Sequence, residues 1–450
     1  MSFWDPFSPE PSEAGFSLPR ARPHPGGSPS ARRGQLGLAG LLATALVVSL
    51  AASKTGWLLP QSIRPVPSGL AGPFGGAGFK MGLGELIPLF TLMFVSYVVA
   101  IRAAGHLSGR AVLMTIAALN ALVLLAPPLL STDIFSYGAY GRMAALHGIN
   151  PYLHGPRWIW LDPMYQFVGS QWVAVPTAYS PLFTALSAAL APLDIAANVI
   201  AYKGIAAVSS LVIVVMVWNT ARLRGLDPVK AAALVGLNPV IVVYGVGGGH
   251  NDLLMLAVLM TGVYALLQGR ARSGGALIVT ATAIKLTAGL VLPFALAAGA
   301  GQPGTADRRR RVAAGAGIAV AVIAGFGFWL FGTGPLHMLG TLRAVQNHTG
   351  LQSIPGFISI GLGLGQLSQG AELVLTAAWG VSVLWLLRRV WIGELDWITG
   401  AGWATFALLI TAGSLLPWYM AWLIPLAALS PDRRLMVVAV VMTGLGLTSL

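Results

Sequence analysis

"AVLMTIAALNALVLLAPPLLSTDIFSYGAYGRMAALHGINPYLHGP", residues 111–156, passes from an uncharged apolar run into an acid, an arginine, two histidines and four aromatic rings. A helix needs about 20 apolar residues to cross roughly 30 Å of hydrocarbon, so the first part reads as a membrane span ending near residue 131. Residues 132–156 must then sit at or beyond a membrane surface. Apolar runs recur along the chain at 35–53, 82–102, 111–131, 197–219, 231–247, 253–268, 273–285, 286–300, 312–333, 370–388, 398–414, 416–430 and 435–450. The expected fold is all-α, a polytopic transmembrane helical bundle of about 13 spans.

Composition agrees. Of 450 residues, 56% are hydrophobic and only 9% charged, against about 25% charged in a soluble domain. The net charge of +13 invites a nucleic-acid reading, but the basic residues sit in short loops between apolar runs, so no nucleic-acid partner is expected. Without cysteine there is neither a disulfide framework nor a thiolate metal site. Residues 1–34 are rich in Pro, Ser and Gly and lack an early apolar core, so they read as a disordered basic cytoplasmic tail rather than a signal peptide. Residues 35–450 read as one integral-membrane domain.

The loops give an orientation. With the N-terminus cytoplasmic, Arg20, Arg22, Arg32, Arg33, Arg102, Arg110, Arg222, Arg224, Lys230, Arg270, Arg272, Arg308 to Arg311, Arg388, Arg389, Arg433 and Arg434 all fall inside, most of the basic residues, as the positive-inside rule requires. The chain is then a multi-pass protein of the plasma membrane, with outer loops at 131–180 and 333–356. A single crossing must separate 131 from "RLRGLDPVK", 222–230, so "SPLFTALSAALAPL", 180–193, is expected to lie in the interface or re-enter rather than span. The short pair 273–285 and 286–300 is expected to break around Lys285.

This orientation gathers the polar residues on one face. Ser131 or Thr132 can cap a helix with Asp133 in its first turn, where the macrodipole favours a carboxylate. At about 100° per residue, Tyr137, Tyr140, Ala144 and His147 share the Asp133 face and Arg142 lies opposite. "HGINPY", with Asn150 and Tyr152, ends that helix at Gly148 and Pro151. An acid among rings suits a sugar; the competing reading is an interfacial helix with its Tyr rings at headgroup level.

Three further stretches carry polar groups where apolar ones are the rule. "GVGGGHNDLLMLAVLM", 245–260, sets His250, Asn251 and Asp252 at a helix start behind glycines that let backbone approach a ligand, and a plain N-cap explains one of the three. Lys285 interrupts "IVTATAIKLTAGLVLPF", 278–294, and an ionisable residue there is functional by default, with snorkelling the alternative. A lipid-linked phosphate would suit its ammonium. The second loop adds Arg343, Asn347 and His348, and "SLLPWYMAWLIPL", 414–426, adds Trp418 and Tyr419, equally readable as an aromatic belt. No Walker loop, HExxH helix or GxSxG elbow occurs, which leaves one or two carboxylates with cations, the set for transferring a group from a phosphate carrier.

"LLSTDIFSYGAYGRMAALHGINPYLHGP", "NPVIVVYGVGGGHNDLLMLAVLM", "ATAIKLTAGLVLPFA" and "LLPWYMAWLIPL", in this order, resemble the polyprenol-phosphate-mannose-dependent alpha-1,6-mannosyltransferases of actinobacteria, within the integral-membrane C-type glycosyltransferase (GT-C) superfamily. The likeness covers most of residues 80–430. It implies a GT-C-like fold with outward-facing active-site loops, a polyprenyl-phosphate sugar donor, a glycan or glycolipid acceptor in a setting of membrane lipids, and inversion by single displacement. By the same resemblance Asp133 is the catalytic base, His250, Asn251 and Asp252 line the cavity, and Lys285, Arg142 and His348 hold the donor phosphate. Tyr137, Tyr140, Asn150, Tyr152 and Trp418 complete the expected substrate-binding set. No cofactor is assigned and a divalent cation is left open, a lone Asp133 being a poor metal site. The competing functions are a polyprenol-dependent transferase of another sugar, or a lipid-linked sugar flippase or secondary transporter; repeated halves, common in transporters, do not stand out here.

Overall fold

The computed structural model describes residues 28–60, 62, 68–346 and 352–448. Among these the regular structure is helical and no strand occurs, as hydrocarbon demands of a chain that must satisfy its own backbone polar groups. The principal helices are α1 (Pro29–Ala52), α2 (Leu83–Ala103), α3 (Gly109–Leu125), α4 (Asp133–Leu146), α5 (Pro181–Leu190), α6 (Ile195–Leu223), α7 (Pro228–Gly236), α8 (Asp252–Leu267), α9 (Ala271–Thr282), α10 (Val291–Ala297), α11 (Thr305–Phe331), α12 (Gln369–Trp391), α13 (Trp397–Thr411) and α14 (Arg433–Leu447). Short polar side chains start many of them. Ser28, Ser108 and Ser368, with Asp194, Asp227, Asp396 and Asp432, each accept a first-turn N–H, a capping bond worth about 1 kcal/mol.

One boundary differs from expectation, and the crossings are matched in part. α1 begins at Pro29 with Ser28 as its cap, inside the stretch 1–34 expected to be a disordered tail; residues 1–27 lie outside the described residues. Against about thirteen expected crossings, five helices are long and apolar enough to span: α1, Leu83–His106, α6, α11 and α12. A sixth forms if α7 and the π-helical Val240–Val246 count as one span bent by 48°. Other apolar runs fold as shorter helices, such as α3, α8 and α13 with 17, 16 and 15 residues, or break, because run length says nothing of where the backbone stops being helical. α5 has 10 residues, a length of about 15 Å and half the hydrocarbon thickness.

Close backbone approach holds the bundle where lipid offers apolar surface as good as any side chain. A Cβ on Gly37 would lie 2.7 Å from the Ala100 nitrogen, and one on Gly315 would overlap the Arg272 carbonyl, so α1 seats on α2 and α9 on α11. Only 6% of the apolar window of α12 is buried, so this helix faces lipid. At the bend before Val240, Asn238 donates to the Tyr97 hydroxyl at 3.1 Å and the Thr443 hydroxyl at 2.8 Å, while its Oδ1 accepts from the Val240 N–H at 3.0 Å. That knot ties α2 and α14 to the segment that delivers the histidine loop.

Candidate active site

Asp133 opens α4, with its N–H bonded to Ser131 Oγ at 3.1 Å. The preceding loop is pinned from three sides. Lys203, fully buried in α6, donates to the carbonyls of Ala126 and Pro127. The Leu129 N–H bonds to the Gly247 carbonyl at 3.0 Å and that of Leu130 to the Leu58 carbonyl at 2.9 Å. The Asp133 carboxylate so placed is 17% exposed. Burial raises its pKa from 3.8 to about 6, with Lys285 opposing the rise and Asp252 adding to it. It is ionised at neutral pH, yet near the range in which a base takes and returns protons readily.

The histidine loop passes directly against it. Gly249 has φ +66°, and a Cβ there would lie 2.6 Å from Ile134 Cδ1, so both conformation and close approach call for glycine. His250 Nδ1 is thereby held 3.6 Å from Asp133 Oδ2, longer than a hydrogen bond, with the ring stacked on Trp418 at 3.8 Å and 22°. Burial, and after it the Lys285 charge, push the His250 pKa well below 6.5, so the ring is neutral and the pair is no salt bridge. Asn251 sits at the N-cap of α8, yet its side chain makes no capping bond. Both His250 ring nitrogens, both Asn251 amide atoms and Asp252 Oδ2 are buried without a hydrogen-bond partner among the described residues. Each unmet atom costs about 1–3 kcal/mol, and their concentration on three consecutive residues leaves donors and acceptors that a water or a polar ligand could satisfy.

Asp252 Oδ1 is already engaged. It accepts from Lys285 Nζ at 2.7 Å and Trp422 Nε1 at 2.5 Å. Lys285 reaches it from an extended residue between α9 and the turn Leu286–Leu290, so the break expected there is present. Its ammonium lies 4.7 Å from the Tyr419 ring centre and 5.2 Å from that of Trp422, and these rings stack at 4.3 Å. The cation is thus held inside by a carboxylate and two π faces instead of snorkelling away. Among the described residues no three His, Asp or Glu side chains converge on a metal position, and an ammonium occupies the carboxylate that could have contributed. This donor set does not fit a divalent cation.

The remaining expected residues fall in several places. Tyr137 and Tyr140 are buried. Tyr137 meets Tyr179 and Phe183 edge-on, each at 4.9 Å, and Tyr140 donates to the Val175 carbonyl at 2.9 Å, so these rings form a wall under the loop and α4 is not an interfacial helix. Arg142 does not join the cluster. Half a turn round α4 from Asp133, it binds both oxygens of Asp162 at 2.8 and 2.9 Å and the Ala191 carbonyl at 2.9 Å, while His147 takes Asp162 from the side at 2.8 Å. Asn150 donates to the Phe331 carbonyl at 2.8 Å and Tyr152 to the Tyr179 carbonyl at 2.9 Å; both fasten the loop to its neighbours and lie outside the cluster. Arg343 is exposed on Met338–Gln346, and Asn347 and His348 lie outside the described residues.

Sequence reasoning passed over Lys203 and Trp422. A lysine inside the apolar run 197–219 was a signal of the same kind as Lys285. Trp422, one helical turn beyond Trp418, carried no signal apart from its ring.

Residues 36–301 match the family described as alpha-(1->6)-mannopyranosyltransferase, N-terminal domain, and residues 348–448 match the MptB C-terminal domain. The first match takes in Asp133, Lys203, the His250 triplet and Lys285; the second takes in Trp418 and Trp422. Alpha-(1->6)-mannopyranosyltransferase A of Mycobacterium tuberculosis is 33% identical over 196 residues, 42% of this chain and 37% of the relative. A probable alpha-(1->6)-mannopyranosyltransferase of Mycolicibacterium smegmatis is 29% identical over 358 residues, 68% of this chain and 63% of the relative. Alpha-(1->6)-mannopyranosyltransferase B of Corynebacterium glutamicum is 28% identical over 396 residues, 77% and 64%. The chain thus spans less than two thirds of the length of these relatives, while the first family match alone covers more than half of the chain. On that match, this chain belongs to the alpha-(1->6)-mannopyranosyltransferase family.

Proposed function

We propose that this chain moves mannose from a polyprenyl-phosphate carrier to a mannan or glycolipid acceptor in alpha-1,6 linkage, on the outer face of the plasma membrane. The observation that carries the reading is the pairing of a largely shielded carboxylate, Asp133, with a caged ammonium, Lys285, across the unmet polar atoms of His250, Asn251 and Asp252. In this reading the acceptor hydroxyl oxygen attacks the mannosyl C1. The C1–O bond to phosphate breaks, its electron pair leaves with the polyprenyl phosphate, and Asp133 takes the hydroxyl proton. Lys285 balances the charge that grows on the departing phosphate. His250 and Asn251 have free donors and acceptors for the sugar hydroxyls, and Trp418 braces the imidazole from behind. Attack opposite the leaving group turns a beta-linked donor into an alpha-linked product.

The same reading takes the fold as GT-C-like with about thirteen crossings and a cytoplasmic N-terminus, the shorter apolar helices completing their crossings with adjacent turns. The course of α11 supports opposite faces for charge and for the 131–180 loop. Its first turns hold Arg308 to Arg311, its last residue accepts from Asn150, which follows α4, and 27 residues span about 40 Å.

The test is transfer of labelled mannose from synthetic mannosyl polyprenyl phosphate to a short alpha-mannoside, in membranes holding wild type or Asp133→Asn. Transfer by wild type that vanishes in an equally expressed variant is the expected result. Movement of label across vesicles without a new glycosidic bond would replace the transferase with a flippase, and transfer from another sugar donor would change the substrate.

A further inference from the structure

An open apolar groove lies at the arginine-bearing end of α11. It has a volume of about 780 Å³ and is lined by Leu296 of α10, Arg309 and Arg310 of α11, and Leu387, Arg388 and Trp391 of α12. That volume is in the range of small-ligand sites, roughly 300–1,000 Å³. Its walls are almost wholly apolar and its rim is cationic. Most nearby charges are spoken for: Arg311 pairs with Asp307 at 2.7 Å and Arg389 with Glu394 at 3.2 Å, and Arg308 donates to the Ala295 carbonyl at 3.1 Å. Arg309 donates to the Leu296 carbonyl at 2.7 Å and lies 4.1 Å over the Trp391 ring. Arg310 and Arg388 are exposed, and their side chains have no hydrogen bond or ion pair among the described residues. One wall is α12, the helix left almost entirely to lipid.

We infer that this cavity holds an anionic phospholipid, its phosphate between Arg310 and Arg388 and an acyl chain lying along the apolar walls beside Trp391. An apolar slot that opens sideways to lipid and carries two unanswered guanidinium groups at its mouth is complementary to an amphiphile with a phosphate head. A soluble phosphate would meet the arginines and leave the slot unused, and a zwitterionic lipid would fill the slot and leave net charge unanswered. None of the residues lining this cavity belongs to the cluster of Asp133, His250, Asn251, Asp252 and Lys285, so the lipid is structural or regulatory and is not the sugar donor. Its assignment to the inner leaflet rests on the orientation proposed above, whereas its binding does not.

The test uses the full-length protein in neutral detergent, with lipids retained in native mass spectra titrated as phosphatidylglycerol, phosphatidylcholine or inorganic phosphate. Wild type should retain phosphatidylglycerol in preference to phosphatidylcholine, and inorganic phosphate should not displace it at matched concentration. Arg310→Gln/Arg388→Gln should weaken that retention on the order of 30-fold, from about 1 kcal/mol for each arginine near a phosphate surface, while Arg433→Gln/Arg434→Gln should leave it unchanged. Equal retention of both lipids by wild type, equal retention by the two double variants, or displacement by inorganic phosphate would each overturn the inference. The wild-type comparison needs no variant to fold.

Discussion

Replacing Asp133 by Asn should move activity and stability in opposite directions. The carboxylate is raised from 3.8 to about 6, chiefly by burial, and at about 1.36 kcal/mol per pKa unit the folded protein carries a cost of about 3 kcal/mol for keeping it ionised. The pH window is set by the direction of the shift. Below about pH 4 the group is protonated folded and unfolded, and nothing is at stake. Between about 4 and 6 the unfolded chain ionises it more readily than the folded protein does, so the cost grows; above 6 it is complete. The amide never ionises, so the variant should outlast wild type at pH 8 by up to about 3 kcal/mol and lose that advantage as the pH approaches 4. Thermal unfolding in detergent at pH 4.5, 6 and 8 reads this directly. Mannosyl transfer should fall 10²-fold or more through loss of the base, and the wild-type rate should decline as pH drops through about 6. A variant less stable than wild type at pH 8, or one whose advantage does not depend on pH, would refute the burial argument. Full activity would remove Asp133 from the chemistry.

Lys285→Met should lower transfer sharply and destabilise by about 3–5 kcal/mol, because it strands Asp252 in the interior; adding Asp252→Asn should restore much of the thermal stability without restoring transfer, and restored transfer would show that Lys285 serves only the fold. Arg142→Ala leaves the buried Asp162 with His147 and the Met164 N–H but without its guanidinium, so it should cost about 3 kcal/mol in unfolding experiments while KM for the donor in the surviving protein stays within about twofold; a selective rise in KM would return Arg142 to the donor phosphate. Gly249→Ala forces a methyl into Ile134 at a left-handed position, and should reduce turnover with little change in membrane insertion, measured as rate per inserted protein.

The membrane class, the helical fold and the separate candidates Asp133, His250, Asn251, Asp252 and Lys285 were legible in the linear chain. Each is a local statement: an apolar run has a length, and an ionisable group inside one has a desolvation cost that must be met by something. The start of α4 was legible at Ser131 and Thr132, although Thr132 makes no side-chain capping bond and Ser131 Oγ accepts the Asp133 N–H instead. Partners were not. A helical wheel puts Arg142 opposite Asp133, but only packing shows that its side of α4 meets Asp162 and the end of α5, and that Tyr137 and Tyr140 lie beneath α4 among other rings. Apolar runs were legible, but where the helices within them stop was not, because hydropathy is continuous through the Asn238–Pro239 bend, where the backbone is not. Above all, Asp133 meets His250, and Lys285 meets Asp252 and Trp422, across separations of 117, 33 and 137 residues in sequence. Nothing local fixes such meetings; they arise from the glycine contacts and buried hydrogen bonds that bring distant helices to one depth and rotation, which only the tertiary structure decides.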